Sequence, residues 1–368
     1  MRIALVHMRH RRRGGTERFL NELARRLAEC GHDVVILCRS HEAAPDPRVS
    51  FQRLEPFSIG ASWRMWAFAR AVEARVRSEH FDLVLGLGKT WTHDVIRLGG
   101  GCHASYLERT GARLRFKDRL ALRIEARALA PDNLARVIAN SRMVRDDVMR
   151  RYGVPQDAIE VVYNGVDLER FRPSLRAEQG MALRTEWGLS PEQRVLLFLG
   201  TGFERKGLDR TLEAFRLLCE HDARTQLVVV GHSSRAREWQ ARAIRLGLEK
   251  RVSFLGARDD PERCFAAADA YVLPTRYDPF ANSTLEALAC GVPAVTTPDN
   301  GAAELLDDES AGSVVRDPDN PESLGRAVER WLDCEPHSPR ARAVAEAPSA
   351  SEMARRTIAL LEAVARRS

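Results

Sequence analysis

The sequence predicts an α/β protein with two wound parallel-sheet domains that face each other across a cleft. Three observations support this prediction. The 368 residues exceed what one ordinary domain holds and suffice for two. Short apolar runs alternate with amphipathic segments in both halves, as in parallel sheets covered by helices. A turn-rich joint, Asn164-Gly165-Val166-Asp167, separates the halves.

The first half, residues 1–166, is predicted to form the amino-terminal domain. It opens with a strand-like run at 3–6, an amphipathic segment at 16–28 and a second run at 34–37. Because a strand, a helix and a strand in this order require a crossover, we expect parallel pairing. Further strands are predicted at 83–85 and 137–138, and a helix at 143–152.

The second half, residues 167–350, repeats the alternation as a carboxyl-terminal domain. Strands are predicted at 195–199, 227–230, 252–255, 271–273, 294–296 and 313–315, with helices at about 208–220, 235–246, 262–268 and 284–290. Residues 351–368 have helical spacing, and we expect this helix to pack back toward the first domain. Ligands of such folds bind at the carboxyl ends of the strands, so the loops there are the candidate sites.

Composition and charge restrict the classes of function. No run approaches the ~18 apolar residues of a transmembrane helix, and the first apolar run is too short for a secretory signal. We therefore expect a cytoplasmic protein. Seven scattered cysteines and ten histidines lack metal-site spacing, so no metal is expected. The net charge of +6 favours anionic partners, whether nucleotides, phosphorylated glycans, acidic lipids or nucleic acid.

The stretch YDPFANSTLEALACGVPAVTT, residues 277–297, carries two carboxylates, Asp278 and Glu286. On one continuous helix these residues would lie ~12 Å apart, too far for the paired acids of a glycosidase. Pro279 disfavours a helical conformation at Asp278 and places that residue in a loop. The sequence therefore does not predict a hydrolase.

The same stretch predicts a helix from about Thr284 onward, with Asn282, Ser283 and Thr284 as capping residues. Backbone N–H groups at such a helix start favour anions, and small side chains let a phosphate approach. We expect a diphosphate here, with Glu286 accepting hydrogen bonds from vicinal hydroxyls and Asp278 from a sugar. The alternative is that Asp278 forms a turn and Glu286 interacts with the helix dipole.

A second candidate, residues 200–209, follows a predicted strand and precedes a predicted helix. Thr201 and Gly202 lie in its glycine-rich turn, where a donor phosphate is expected. Arg205 offers a planar fork and Lys206 a point charge, and together they can neutralise a departing diphosphate. The alternative is a solvated surface pair. Because Arg205 occupies the third glycine position of the dinucleotide fingerprint, a nicotinamide cofactor is not predicted.

Two candidates lie in the first half. The stretch RRRGGTER, residues 11–18, follows the first strand; its glycines let the backbone approach a ligand, and Thr16 is expected to cap the next helix. An ordinary basic turn is the alternative. Further along, His103 is a candidate hydrogen-bond partner of a sugar hydroxyl, and Asp94 a candidate to orient an acceptor. The alternative for a lone histidine is a structural role.

Together these segments resemble the retaining glycosyltransferases of family 4, which have the two-domain GT-B architecture. Residues 278–295 are similar to the family's E-x7-E motif running into E-A-x-A-x-G-x-P-V, although Asp278 stands for the first Glu and Ala281 for a usual Gly. The resemblance covers essentially the whole chain, including residues 137–141 and the joint at 164–167. Within the family, the lipopolysaccharide-core glucosyltransferase I group is most similar, through Gly14-Gly15, Lys89, Phe203 to Arg210, and Arg258.

The resemblance implies roles for individual residues. It assigns Arg205 and Lys206 to the nucleotide diphosphate and Glu286 to the ribose hydroxyls. It assigns Arg258 to the surroundings of the nucleobase and Gly15 to the diphosphate and acceptor side. The amides of Asn282, Ser283 and Thr284 are assigned to phosphate or sugar. It also implies a retaining mechanism that needs neither a metal nor a dedicated side-chain base.

The function that we predict is transfer of a hexose, glucose from UDP-glucose, onto a heptose of the lipopolysaccharide inner core. Alternatives are another acceptor, such as O-antigen, capsule or a lipid carrier, and a nucleotide-sugar epimerase. A nucleic-acid binder is disfavoured because the aromatic residues, 7% of the chain, do not interleave with the basic clusters.

The partners that we expect are a nucleotide sugar and a lipid-linked glycan. Basic and apolar residues interleave over 109–127, which predicts peripheral contact with the anionic inner face of the cytoplasmic membrane. An amphipathic helix with a solvated basic face is the alternative.

Overall fold

A computed structural model describes residues 1–10, 14–42, 46–133, 136–306, 310–334 and 339–366. The strands are β1 (Arg2–Val6), β2 (Asp33–Cys38), β3 (Val49–Arg53), β4 (Leu83–Gly86), β5 (Val95–Leu98), β6 (Arg136–Ala139), β7 (Ile159–Val161), β8 (Arg194–Leu199), β9 (Thr225–Val230), β10 (Val252–Gly256), β11 (Ala270–Leu273), β12 (Ala294–Thr296) and β13 (Gly312–Val314). The helices are α1 (Gly15–Glu29), α2 (Gly60–Ser78), α3 (His103–Thr110), α4 (Phe116–Ala128), α5 (Arg142–Tyr152), α6 (Met181–Glu186), α7 (Phe203–Lys206), α8 (Leu208–Leu218), α9 (Ala236–Arg245), α10 (Pro261–Ala267), α11 (Asn282–Ala289), α12 (Pro321–Leu332), α13 (Pro339–Glu346) and α14 (Ala350–Ala365).

The chain divides into two compact units. Unit 1 comprises Met1–Gly165 together with Ala350–Ser368, and unit 2 comprises Val166–Ser349. Each limit lies one residue before the corresponding predicted domain boundary. Each unit contains one parallel sheet over its described residues, so the prediction of two wound parallel-sheet domains is confirmed.

The sheet of unit 1 has the strand order β3-β2-β1-β4-β5-β6-β7. Strand β1 lies inside the sheet: its Ile3 pairs with Val34 of β2 on one side and with Leu83 of β4 on the other. Because helices cover both faces, residues 3–6 are all apolar and fully buried. The strand order reverses between β1 and β4, and ligands of wound sheets bind at the carboxyl ends of the strands that flank such a reversal.

The last helix, α14, is part of unit 1. Its Met353 and Leu361 are buried in the same core cluster as Leu20 and Leu23 of α1. The Met353 sulfur also accepts a hydrogen bond from the amide of Gly165 at 3.3 Å. Unit 1 is therefore built from both ends of the chain.

The sheet of unit 2 has the strand order β10-β9-β8-β11-β12-β13 and reverses between β8 and β11. The loops that follow these two strands pack closely together. Gly207 has φ 81°, and a Cβ built there would lie 2.1 Å from the carbonyl oxygen of Pro274. Only glycine therefore allows the loop after β8 to lie against the loop after β11.

Several elements differ from the sequence predictions. Strands β3, β5 and β7 and helices α2, α3, α6, α7, α12 and α13 are not predicted. Strand β5 has only four residues and contains Arg97, so it lacks the apolar run that marks its neighbours. Within the described ranges, no helix combines the length and the apolar character that a bilayer-spanning segment requires.

Candidate active site

The loops after β8 and β11 meet where the sheet order of unit 2 reverses. The carbonyl oxygen of Arg205 accepts two hydrogen bonds from the second loop, from the amide of Arg276 at 2.9 Å and from the Thr275 hydroxyl at 2.9 Å. The Arg276 side chain also forms a bidentate pair with Asp209, at 2.9 and 2.7 Å. These contacts fix the position of α7, which carries the two predicted phosphate-binding cations.

Arg205, Lys206 and Asp278 form one ion cluster, which we call the Asp278 cluster. Oδ2 of Asp278 accepts hydrogen bonds from Lys206 Nζ at 2.5 Å and from Arg205 Nη1 at 2.9 Å. Arg205 also donates to the carbonyl oxygen of Tyr277 at 2.7 Å. Lys206 is only 7% exposed and Asp278 only 8%, so the solvated-surface alternative is wrong for Lys206, whereas the Arg205 side chain is 31% exposed.

Burial and charge act in opposite directions on the pKa values of the Asp278 cluster. Burial alone would raise the pKa of the Asp278 carboxyl, but the charges of Lys206 and Arg205 outweigh it and hold this pKa below its ordinary value. Burial lowers the pKa of Lys206, and the charge of Asp278 offsets part of that shift. The charge of Glu286 also acts on Lys206, so Asp278 is not the only carboxylate that balances the two cations.

Both oxygens of the Asp278 carboxylate have partners within the protein. Oδ2 of the carboxylate faces the two cations, while Oδ1 accepts the amide of Phe280 at 3.3 Å. Asp278 is therefore the counter-ion that positions Arg205 and Lys206. The contact with a sugar stays a prediction.

Helix α11 begins earlier than predicted. It starts at Asn282, and Ala281 occupies the N-cap position without a side-chain capping bond, so Asn282, Ser283 and Thr284 are its first three residues rather than its caps. Glu286 consequently lies in the second turn, not in the first, and is 6% exposed.

Side chains from outside α11 hold its start, which is why no local cap is required. Oδ1 of Asn300 accepts the amide of Ala281 at 3.1 Å, and its Nδ2 donates to the Thr284 hydroxyl at 3.0 Å. The Tyr271 hydroxyl donates to Ser283 Oγ at 2.7 Å. Sequence analysis missed both Asn300 and Tyr271. The Asp299-Asn300-Gly301 turn after a predicted strand is the signal that points to Asn300.

The remaining candidates of unit 2 lie nearby on the same edge of the sheet. Thr201 and Gly202 follow β8, and Gly202 is the N-cap of α7 with φ 79°. Arg258 follows β10, two strands from β8, and forms a bidentate pair with Asp260 at 2.8 and 2.7 Å. No contact joins Arg258 to the Asp278 cluster within the part of the chain that the structure describes, so its role near a nucleobase stays a prediction.

The candidates of unit 1 have different outcomes. Gly15 is the first residue of α1, and Gly14 with φ 138° is its N-cap, so the predicted cap at Thr16 is wrong. Arg11, Arg12 and Arg13 lie outside the described residues.

His103 begins α3 and lines a cavity of about 760 Å³ in unit 1, with its Nε2 3.1 Å from Asp118 Oδ1. Asp94 does not line this cavity. It precedes β5 at the amino end of that strand, and its Oδ2 accepts the amide of Val84 at 2.7 Å. Burial raises the pKa of Asp94. Asp94 therefore links the starts of two neighbouring strands, and its contact with an acceptor stays a prediction.

Among the residues that the structure describes, no three or more His, Cys, Asp or Glu side chains are grouped so that they could hold a metal ion. Lys206 and Arg205 are the side chains that supply positive charge in the Asp278 cluster.

Known families match both units. Residues 13–170 match the family described as Glycosyltransferase Family 4, and residues 182–349 match Glycosyl transferases group 1. A probable transglycosylase of Burkholderia thailandensis is 30% identical over 298 residues, which cover 80% of this chain and 76% of that protein. An uncharacterized glycosyltransferase of Methanocaldococcus jannaschii is 30% identical over 199 residues, 53% of this chain, and the chain spans only 50% of its length.

Two further proteins are similar over most of the chain. The lipopolysaccharide glucosyltransferase WaaG of Escherichia coli is 24% identical over 326 residues, 88% of this chain and 87% of that protein. A crystal structure of WaaG superposes with a TM-score of 0.85, covering 98% of this chain and 99% of that one. A structure of Anabaena HepE in complex with UDP-glucose has a TM-score of 0.76 at 19% identity, covering 99% and 100%. The fold shared with these structures is GT-B.

Proposed function

Because the chain belongs to glycosyltransferase family 4, we propose that it transfers glucose from UDP-glucose onto a heptose of the lipopolysaccharide inner core. The name of WaaG, a lipopolysaccharide glucosyltransferase, supports the choice of acceptor. The UDP-glucose bound in HepE supports the choice of donor.

One observation carries the proposal: two cations share one buried carboxylate where the sheet of unit 2 reverses. Transfer breaks the bond between the anomeric carbon and the diphosphate oxygen, so negative charge develops on the departing UDP. Fixed cations stabilise such charge strongly because they need no reorganisation during the reaction. In our proposal Lys206 and Arg205 bind the diphosphate while Asp278 keeps them in place.

Glu286 and the start of α11 complete the donor site in this proposal. The start of α11 is a helix N-terminus, where an anion is favoured, although the amide of Thr284 already donates to the carbonyl oxygen of Ala281 at 3.0 Å. Glu286 accepts hydrogen bonds from the ribose hydroxyls. The acceptor oxygen attacks on the face that UDP leaves, and its proton passes to a phosphate oxygen of the departing UDP. These two steps retain the anomeric configuration and require neither a metal nor a side-chain base.

We place the acceptor in the cavity of unit 1. The cavity of about 760 Å³ is of the size that small-molecule sites have. His103 lines it, and its ring nitrogen is within hydrogen-bond distance of Asp118. An imidazole held by a carboxylate is a suitable partner for a sugar hydroxyl.

We further propose that unit 1 rests on the inner face of the cytoplasmic membrane, where a lipid-linked acceptor lies. Phe57 and Ile59 are 90% and 76% exposed. Trp63 and Phe116 are also exposed, and their ring centroids are 5.9 Å apart, so two chain segments form one apolar patch. Basic residues flank Phe116, namely Arg113, Arg115, Lys117 and Arg119. Exposed aromatic groups beside basic residues favour an anionic lipid surface.

The donor experiment is thermal stabilisation of the purified protein by a panel of nucleotide sugars, because ligands that bind only the folded state raise its stability. We expect UDP-glucose to stabilise the protein more than the other sugars.

The acceptor experiment supplies UDP-glucose and core heptose oligosaccharide and measures glucosylated product. Transfer only to O-antigen, capsule or lipid-carrier acceptors would show that the acceptor is not the core heptose. Isomerised nucleotide sugar in the absence of any acceptor would indicate an epimerase instead.

A further inference from the structure

Helix α11, whose start belongs to the proposed donor site, is held at both of its ends. Every residue from Ser283 to Ala289 is buried. Asn300 and Tyr271 hold its start, and its carboxyl end lies at the C-cap residue Cys290. Because a helix moves as a rigid rod, the contacts that fix its carboxyl end also decide where its start lies.

The last four carbonyl groups of a helix have no partner inside it and need partners elsewhere. In α11, backbone amides of the following turn bind three of these carbonyl groups: Cys290 donates to Glu286 at 3.1 Å, Gly291 to Leu288 at 2.8 Å and Val292 to Ala287 at 2.9 Å. The fourth carbonyl oxygen, that of Ala289, accepts a hydrogen bond from Arg342 Nη1 at 2.9 Å. Arg342 on α13 therefore completes the carboxyl end of α11.

Arg342 also binds residues 168–172, which we call the entry segment because it begins two residues after Val166, the first residue of unit 2. Its Nη1 donates to the carbonyl oxygen of Phe171 at 2.6 Å, and its Nη2 donates to that of Leu168 at 3.2 Å. Its Nε lies 3.6 Å from Glu346, and its side chain is 20% exposed. The planar fork of an arginine can hold carbonyl groups of two chain segments at once.

A second contact joins the entry segment to the carboxyl end of α11. Burial raises the pKa of the Cys290 thiol, and a hydrogen bond with the backbone of Arg172 opposes part of this shift. Cys290 is fully buried. The entry segment therefore contacts the C-cap residue of α11 independently of the Arg342 side chain.

A series of aromatic rings joins the entry segment to the start of α11 as well. Phe171 packs edge-on against Phe265 with ring centroids 6.3 Å apart, and Phe265 packs edge-on against Tyr271 at 5.5 Å. The Tyr271 hydroxyl then donates to Ser283 Oγ at 2.7 Å. All three rings are buried, and closely packed side chains transmit displacement rather than absorb it. The entry segment is thus linked to both ends of α11.

We propose that Arg342 is a positioning residue of the donor site, which holds α11 in place for UDP-glucose by joining Ala289 to the entry segment. The inference rests on the proposed function, because it takes the start of α11 as part of the donor site. A displacement of about 1 Å is enough to misplace the groups that bind a substrate. Because coupling between two sites is reciprocal, bound UDP-glucose should in turn stabilise the entry segment.

The test measures the Kd of UDP-glucose for the full-length protein by titration calorimetry. Arg342→Ala should raise Kd about tenfold or more, the size expected when one hydrogen bond to the donor is misplaced. Arg342→Lys keeps the charge but cannot hold two segments at once, so its Kd should lie between those of wild type and Arg342→Ala. This milder variant keeps the test decisive if Arg342→Ala does not fold.

Arg251→Ala is the matched control. Arg251 is also a partly buried arginine of unit 2 that donates to backbone carbonyl oxygens, those of Asp222 at 2.8 Å and Thr225 at 2.6 Å. These carbonyl groups lie at the amino end of β9, whereas the donor loops follow the carboxyl ends of the strands. Urea denaturation should show a loss of stability in both alanine variants, but the Kd of UDP-glucose should change only in Arg342→Ala.

Hydrogen exchange gives a readout that lost stability alone would not produce. The amide of Phe171 donates to the carbonyl oxygen of Asp167 at 2.9 Å. UDP-glucose should slow exchange of this amide in wild type and in Arg251→Ala, but not in Arg342→Ala.

Three outcomes would overturn the inference: an unchanged Kd in both Arg342 variants, an equal rise of Kd in Arg251→Ala, or equal slowing of exchange in Arg342→Ala and wild type. In each of these cases the wild-type protein still binds UDP-glucose, so the proposed function would stand. Failure of the wild-type protein itself to bind UDP-glucose would instead count against the proposed function.

Discussion

Lys206 Nζ lies 2.5 Å from Asp278 Oδ2, although 72 residues separate the two along the chain. Arg205 reaches the same oxygen at 2.9 Å. The pairing joins the loop after β8 to the loop after β11 where the strand order reverses. The central claim of our account is that this cluster binds the diphosphate of a nucleotide sugar.

Replacing Asp278 by Asn should destabilise the fold. The change leaves two cations, one of them almost fully buried, without their counter-ion. Breaking a buried ion pair by removal of one partner costs about 3 kcal/mol or more. Urea denaturation measures the loss. Asp260→Asn removes the partner that the less buried Arg258 and Arg263 share, and it should cost less than about 1 kcal/mol. Similar losses in the two variants would contradict a structural role for the Asp278 cluster.

The stability difference between wild type and Asp278→Asn should depend on pH. Folding lowers the pKa of the Asp278 carboxyl from its ordinary value of 3.8, so the carboxylate stabilises the fold above that pH. The stabilisation is lost as pH falls through the folded pKa, because the carboxyl then takes up a proton. Unfolding free energies measured from pH 7 to pH 3 should therefore converge below about pH 4. A constant difference would show that charge is not the cause.

Replacing Lys206 by Ala should reduce turnover far more than stability. Arg205 still pairs with Asp278 in this variant, so the carboxylate keeps a partner. Loss of one preorganised charge at a departing oxyanion costs roughly a hundredfold or more in kcat. Steady-state kinetics and urea denaturation of the same preparation make the comparison. If the losses in turnover and stability were of equal size, Lys206 would be structural.

Replacing Asn300 by Ala should weaken both the fold and donor binding. Asn300 holds the start of α11 through Ala281 and Thr284, and its loss leaves buried polar groups unsatisfied, at about 1–3 kcal/mol. We expect UDP-glucose affinity to fall as well, because the start of α11 is no longer held. Tyr271→Phe removes a hydroxyl that contacts Ser283 Oγ at 2.7 Å and the carbonyl oxygen of Leu199 at 3.2 Å, and it serves as the comparison variant. Unchanged UDP-glucose affinity in Asn300→Ala would show that the start of α11 does not contribute to donor binding.

Replacing Trp63 and Phe116 together by Ser should reduce binding to anionic vesicles. The pair forms the apolar patch of unit 1, and each large side chain withdrawn from water contributes about 1.5 kcal/mol or more. The affinity for phosphatidylglycerol vesicles, measured by cosedimentation, should fall at least tenfold. Ile244→Ser removes an apolar side chain that is 60% exposed on unit 2 and should have no effect. Equal binding of the double variant and wild type would remove the membrane proposal.

Sequence reasoning located most strands because buried parallel strands are continuous apolar runs. The prediction for 294–296 coincides with β12, whereas β5 was missed because Arg97 interrupts its run. Helix α11 was placed two residues late because its start is held by Asn300, a residue distant in sequence.

The sequence predicted the loops of the candidate site separately. It did not predict that Arg205 and Lys206 both pair with Asp278. Arg205, Lys206 and Asp278 were each singled out by residue type and by position after a strand. Their mutual contact depends on how β8 and β11 lie side by side, which local patterns do not encode. Asp94 shows the converse case, because it was chosen by residue type but lies at the amino end of its strand, where it accepts the amide of Val84.

The most direct test of the central claim is a crystal structure of the protein with UDP-glucose. Our account predicts that the diphosphate oxygens lie at hydrogen-bond distance, about 2.7–3.1 Å, from Lys206 Nζ and from Arg205. A structure in which the diphosphate binds elsewhere while Asp278 keeps both cations to itself would contradict the account.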